Sequence, residues 1–203
     1  IDDEENITID QKNLIYIGKR QSERAIRLIE NILTFSALHS KKETCSYEEV
    51  KIDEILTELN EIYKKKALQK NIKLKIINFV PSEKFITDRD KVIQIMINLL
   101  NNAIHFTPKK GSITIEVNSD NNDTLLKVHN TGSEIEKDHV KKIFDPFVQL
   151  QKSSHRGLGL GLAITKALVK SLNGMIWIDS CSERGTSFFV KIRKEDPQKL
   201  VSK

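Results

Sequence analysis

Two asparagines, Asn98 and Asn102, interrupt an otherwise apolar stretch, Val92-Ile93-Gln94-Ile95-Met96-Ile97-Asn98-Leu99-Leu100-Asn101-Asn102-Ala103-Ile104-His105. On a helix their spacing puts both on one face, with Gln94 and His105 on roughly the same side. A polar stripe on a core-facing helix needs a reason, because a buried amide without a partner costs about 1–3 kcal/mol. One reason is a ligand: an amide carbonyl oxygen is a hard, neutral ligand suited to a Mg2+ that phosphates also hold. The alternative is that these asparagines simply face solvent. Further on, Gly157, Gly159 and Gly161 alternate just before another helical stretch. Glycine lets a backbone approach a phosphate closely, and a helix N-terminus supplies free N–H groups and a positive dipole end. A flexible hinge would use the same residues.

These residues need elements to hold them, and the periodicity supplies candidates. From about Asp10 to His39 apolar residues recur near a 3.5-residue spacing (Leu14, Ala25, Leu28, Ile32, Phe35), flanked by Ile15, Ile26, Ile29 and Leu33. A helix of that span is about 45 Å long. Its broad apolar face calls for a partner helix outside this sequence or in another subunit. Residues 42–51 read as a linker or strand. Ile52 to about Gln69 reads as a helix, Ile72–Ile76 as a strand, and Phe85–Thr87 as a short strand after the Pro81-Ser82 turn. Asp88 to Phe106 is the helix that carries the asparagines. Ser112–Val117 and Leu125–Val128 form a hairpin around Asn121-Asn122-Asp123. Ile135–Ile143 reads as a short helix and 148–157 as a polar loop. Leu158–Leu172 reads as a helix stopped at Asn173-Gly174, and Met175–Ser180 and Thr186–Ile192 as two closing strands. The expected fold is α+β: a two-layer sandwich of a mixed, mostly antiparallel sheet covered by helices on one face.

Composition narrows the function classes. At 38% hydrophobic and 30% charged residues the chain is globular rather than disordered. No apolar run approaches the roughly 18 residues that span a bilayer. The net charge of +5 comes from scattered residues, without the basic stripe and interleaved aromatics of a nucleic-acid binder. Cys45 and Cys181 lack metal-type spacing and read as reduced thiols of a cytoplasmic protein.

Five segments, in order, resemble the motifs of two-component sensor histidine kinases. Asn98-Leu99-Leu100-Asn101-Asn102-Ala103-Ile104-His105-Phe106-Thr107 resembles the N box. Val128-His129-Asn130-Thr131-Gly132 resembles the first glycine box, and Ile143-Phe144-Asp145-Pro146-Phe147-Val148-Gln149 the F box. Gly157 to Ile164 resembles the second glycine box, and Gly185-Thr186-Ser187-Phe188 the final glycine-threonine box. The resemblance covers about residues 48–193, and the long first helix resembles the second helix of the family's dimerisation and phosphoacceptor domain. It implies the ATP-binding sandwich shared with gyrase-type and Hsp90-type ATPases (the Bergerat fold). The implied organisation is a dimerisation helix over 1–41, a linker or strand over 42–51, an ATP-binding catalytic domain over 52–194 and a loose tail over 195–203.

The resemblance also implies roles. Asn98 and Asn102 would hold Mg2+ against the phosphates of ATP, with His105 beside them. Asn130 would read the adenine amino group, Gly132 would give the ring room, and Thr186 would lie near the adenine pocket. Phe147 and the loop 148–157 would form a lid, with Lys152 or Arg156 reaching the γ-phosphate, and Gly157, Gly159 and Gly161 would meet the phosphates. The implied activity is transfer of the γ-phosphoryl group to a histidine and on to a response regulator receiver domain. The implied partners are a second copy through the first helix and that receiver domain, without direct membrane contact by this chain.

Several positions depart from the pattern. Asn130 replaces an aspartate, His105 a lysine, Glu134 a glycine of the first glycine box and Glu183 the first glycine of the final box. No His-Glu or His-Asp followed by Thr-Pro or Asn-Pro occurs, so no catalytic residue is assigned and the phosphoacceptor is expected on a helix outside this sequence. A degenerate, binding-only pseudokinase is the alternative reading. A gyrase- or Hsp90-type ATPase is a third, disfavoured by the long helix leading into the domain.

Overall fold

The computed structural model describes residues 8–39, 45–132, 134–149 and 158–195. The element order is α1 (Ile9–His39), β1 (Glu48–Lys51), α2 (Ile52–Gln69), β2 (Lys73–Asn78), β3 (Lys84–Thr87), α3 (Arg89–Phe106), β4 (Ser112–Ser119), β5 (Asp123–Asn130), α4 (Lys137–Val140), α5 (Gly161–Ser171), β6 (Met175–Cys181) and β7 (Gly185–Arg193). Five strands form a sheet in the order β2-β4-β5-β7-β6, while β1 and β3 pair as a separate two-stranded ribbon. Only β2 and β4 run parallel, and they can do so because β3 and α3 intervene to bring the chain back. The α+β sandwich expected from the hairpin-rich sequence is the one observed.

Period-two alternation makes the two layers. Ile113, Ile115, Val117, Leu126, Val128, Val190 and Ile192 point to one face and are buried. Their neighbours Glu116, Lys127 and Phe189 point to the other face and remain half-exposed. Against the inner face pack α2 through Ile55, Leu59 and Tyr63, α3 through Ile95, Met96, Leu99 and Leu100, and α5 through Ile164 and Leu168. Cutting back Leu99 to alanine in this core costs about 2–5 kcal/mol.

Local chemistry sets the helix ends. Both α2 and α5 stop at a left-handed asparagine, Asn71 (φ 57°) and Asn173 (φ 53°). The next N–H then turns back five residues, from Ile72 to the Ala67 carbonyl at 2.8 Å and from Gly174 to the Val169 carbonyl at 2.9 Å. Asp88, read as the first helical residue, is instead the N-cap of α3, its carboxylate accepting from the Lys91 N–H at 3.1 Å. The same carboxylate takes the Lys91 ammonium and the Ser46 N–H, each at 2.9 Å. Burial pushes its pKa up, but these bonds outweigh burial and hold it below the usual carboxylate range.

Two helix boundaries differ from expectation. The helix expected from Leu158 starts at Gly161, because Gly159 is left-handed (φ 72°) and cannot join it. The helix expected over 135–143 shrinks to Lys137–Val140, with tight turns after it. On α1, Leu14, Ile15, Ile26, Ile29, Ile32 and Leu33 are exposed, as an unpartnered face should be. Its C-terminal part differs: Phe35 packs against the core, and α1 lies on α5. Among the described residues no helix is long and apolar enough to cross a membrane.

Candidate functional site

The three asparagines of α3 have different surroundings. Asn101 faces α2, where its carbonyl oxygen accepts from the Tyr63 hydroxyl at 2.9 Å. Asn98 faces the start of α5, its Nδ2 donating to the Gly161 carbonyl and to Thr165 Oγ1, both at 3.3 Å. Asn102, one turn further, is half-buried and hydrogen-bonds no described residue through its side chain. A backbone carbonyl only accepts, so nitrogen must occupy the α5 side of the Asn98 amide and its Oδ1 points away. Asn101, which the stripe of Asn98 and Asn102 does not include, is thus held by α2.

The N-terminus of α5 supplies the next part. Its first turn carries no acidic side chain to neutralise the free N–H groups. A Cβ added at Gly161 would meet no described residue within 4 Å. Gly159, just before it, sits under the segment that precedes α5: its carbonyl accepts from the Phe147 N–H at 3.1 Å. A Cβ at Gly159 would approach the Val148 carbonyl to 2.7 Å, so the left-handed glycine is what permits this crossing. Phe147 itself is left-handed (φ 65°) and exposed, and its ring meets Phe35 of α1 edge-on at 6.2 Å. Gly157, Lys152 and Arg156 lie outside the described residues.

At the other end of α3, the β5–β7 pair builds a deep polar corner. Asn130 ends β5 opposite Thr186 of β7. It is only 3% exposed, yet its side-chain amide hydrogen-bonds no described residue. Among the described residues the one side-chain oxygen or nitrogen fully sealed without a partner is Thr87 Oγ1. Gly185 (φ 85°) lets β7 start against Asn130, whose carbonyl would stand 2.2 Å from any Cβ placed there. A Cβ at Gly132 would come within 2.5 Å of Asn130 Nδ2 and 2.7 Å of the Phe106 carbonyl. Gly132 thus presses the loop after β5 onto the end of α3. His105, on that last turn, is exposed and sets its ring edge-on to Phe106 at 4.8 Å.

The structure adds three residues that the motifs do not mark. Lys70 reaches from the end of α2 to the carbonyls of Ile104, His105 and Thr107 at 2.6–2.9 Å, closing the C-terminus of α3. Burial lowers its pKa below the ordinary lysine value. Ser180 of β6 joins the Thr186 hydroxyl at 2.7 Å and accepts from the Ile135 N–H at 2.9 Å. Thr165, completely buried, sits between Gly161 and Asn98. Its position four residues after Gly161 was a readable signal, whereas nothing local marked Lys70 or Ser180.

The arrangement brings together a neutral amide oxygen, a helix N-terminus without acidic side chains in its first turn and a buried amide. Such a rim suits a polyanion that carries its own cation and a polar ring. Among the described residues no cluster of His, Cys, Asp or Glu could hold a metal unaided, so a cation here would share its ligands with the anion.

Known proteins match this frame. Residues 87–196 match the family described as histidine kinase-, DNA gyrase B-, and HSP90-like ATPase. The autoinducer 2 sensor kinase/phosphatase LuxQ of Vibrio harveyi is 30% identical over 204 residues, covering 96% of this chain and 24% of LuxQ. The chain thus spans about a quarter of the length of this curated relative. Full-length ShkA in complex with AMPPNP superposes with a TM-score of 0.82 at 23% identity, over 94% of this chain and 40% of ShkA. Histidine kinase ThkA in complex with the response regulator protein TrrA gives 0.73 at 26% identity, over 96% of this chain and 53% of that one.

Proposed function

The chain belongs to the histidine kinase-, DNA gyrase B- and HSP90-like ATPase family, and from that we propose that it is the ATP-binding catalytic part of a sensor histidine kinase. On this reading it binds Mg2+ and ATP and serves phosphoryl transfer to a histidine, for relay to a response regulator aspartate. One observation carries the proposal: a 3% exposed asparagine side chain, Asn130, that hydrogen-bonds no described residue and lies beside Gly132 and opposite Thr186. A buried amide left in that state is costly unless a ligand completes it. The AMPPNP in ShkA and the response regulator on ThkA, two proteins of this architecture, support the reading.

Each residue has a part in it. Asn130 accepts from the adenine amino group and donates to a ring nitrogen. Gly132 leaves the ring its space, and Thr186, steadied by Ser180, closes the back of the pocket. Gly159 and Gly161, with Gly157, give the phosphates access to the N–H groups of α5. Asn98 and Asn102 offer carbonyl oxygens to Mg2+, with His105 as a weaker cationic neighbour than lysine at pH 7. When bound, ATP supplies the phosphoryl group and Mg2+ offsets the charge on its phosphates. The protein's share is positioning and charge stabilisation, and Phe147 with the segment after it belongs to the cover over the nucleotide.

The proposal divides the chain into a dimerisation helix over 1–41, a linker over 42–51, the catalytic domain over 52–194 and a tail. The unpaired thiols Cys45 and Cys181 suit work in the cytoplasm, where ATP is available. Two measurements test the function. A titration with Mg2+ and ATP should give a Kd well below about 1 mM, and weaker binding would favour a binding-only module. Incubating the full-length parent protein with γ-labelled ATP should then yield acid-labile phosphohistidine. Tight binding without phosphohistidine would overturn the kinase assignment.

A further inference from the structure

The Asn98 amide has a definite orientation, and one residue outside the motif roles accounts for it. Thr165 lies on α5 four residues after Gly161, fully buried, with its hydroxyl donating to the Gly161 carbonyl at 2.8 Å. A hydroxyl has one hydrogen and two lone pairs. With the hydrogen committed to Gly161, Thr165 can only accept from the Asn98 side. The Asn98 amide therefore meets two acceptors at 3.3 Å, the Gly161 carbonyl and Thr165 Oγ1. An asparagine in mixed surroundings can flip end for end at little cost. Here a flip sets Oδ1 against the Gly161 carbonyl, which cannot donate, and against the Thr165 hydroxyl, which could donate only by giving up its bond to Gly161.

We propose that Thr165 is a positioning residue that turns the carbonyl oxygen of Asn98 toward the nucleotide side of the site. The inference rests on reading Asn98 as a Mg2+ ligand. A flipped amide presents N–H groups to a cation, which they repel. A purely local explanation exists for half of the geometry: buried threonines often bond the carbonyl four residues back in their own helix. That explains the Gly161 bond. It leaves unexplained why the lone pair faces an asparagine on a helix more than sixty residues earlier in the chain.

The test uses Thr165→Val, which keeps the shape and removes the hydroxyl, and Thr165→Ser, which restores it. In Thr165→Val the Mg2+ concentration for half-maximal ATP binding should rise by about 2- to 10-fold, the worth of one neutral hydrogen bond. ATP binding in EDTA should stay unchanged, and Thr165→Ser should return the Mg2+ dependence to wild type. In the nucleotide-free protein, NMR should show the Asn98 side-chain amide losing its single fixed environment in Thr165→Val and regaining it in Thr165→Ser. Equal weakening with and without Mg2+ would reduce Thr165 to a packing residue and overturn the proposal, as would an unchanged Mg2+ dependence. Asn98→Ala separates the two layers: if it leaves the Mg2+ dependence untouched, the metal role of Asn98 itself has failed. If Asn98→Ala shifts the dependence and Thr165→Val does not, only the positioning role has failed.

Discussion

At the scale of single residues, the exchange of aspartate for asparagine at position 130 has the clearest energetic consequence. A neutral acceptor contributes about 0.5–1.5 kcal/mol where a charged one contributes about 1.5–3. Asn130→Asp should therefore tighten ATP by roughly tenfold at pH 7, measured by titration calorimetry. The same change should lower the melting temperature of the nucleotide-free protein, because a carboxylate at a 3% exposed position loses hydration without a cationic partner in the described site. A tighter site in a less stable apo protein is the expected pair of outcomes. Unchanged affinity would mean that position 130 does not touch the base.

Helix ends dominate at the scale of elements. Lys70 holds the carbonyls of Ile104 and His105 in the last turn of α3 and of Thr107 just after it, next to the carbonyl that Gly132 abuts. Lys70→Met should destabilise the fold by about 1–3 kcal/mol, with faster amide hydrogen exchange in the last turn of α3. The start of α3 should report on acid. The folded pKa of Asp88 is depressed, so its stabilising contribution is fully present above the unfolded value of about 3.9 and lost as pH falls through the lower folded value. Asp88→Asn keeps a capping side chain but removes the carboxylate that pairs with the buried Lys91 ammonium. It should cost about 3 kcal/mol at neutral pH, a gap to wild type that narrows below about pH 4 in denaturant titrations.

At the scale of the whole molecule, α1 presents an exposed apolar face. Its C-terminal part rests on α5 and touches Phe147 through Phe35, while Leu14, Ile15, Ile26, Ile29, Ile32 and Leu33 remain exposed. A helix of 31 residues with such a face is stable only when paired. A second copy is the proposed occupant. Sedimentation should show a dimer that Ile29→Glu weakens by at least tenfold, with ATP affinity unaffected because residue 29 lies on the exposed face. A monomeric wild type at high concentration would refute this role for α1.

Periodicity in the sequence was enough for the α+β sandwich, the long helix and the asparagine helix, because side-chain alternation and helical spacing are local properties. Some residue types of the candidate site were also legible: amide oxygens on an apolar helix and glycines before a helix each have a chemistry that survives out of context, whereas Asn130, Gly132 and Thr186 were marked only by the family resemblance. The start of α5 was misplaced because a left-handed glycine is a choice of backbone that composition does not specify. The partners were not legible at all. Whether Asn98 or Asn101 faces the site depends on how α3 is rotated between α2 and α5. Lys70 meets α3 only because α2 and α3 pack side by side, and Ser180 meets Thr186 only through the register of β6 on β7. Hydrogen bonds between residues far apart in the chain depend on packing angle and register, quantities set by the whole core at once and by no short stretch of it.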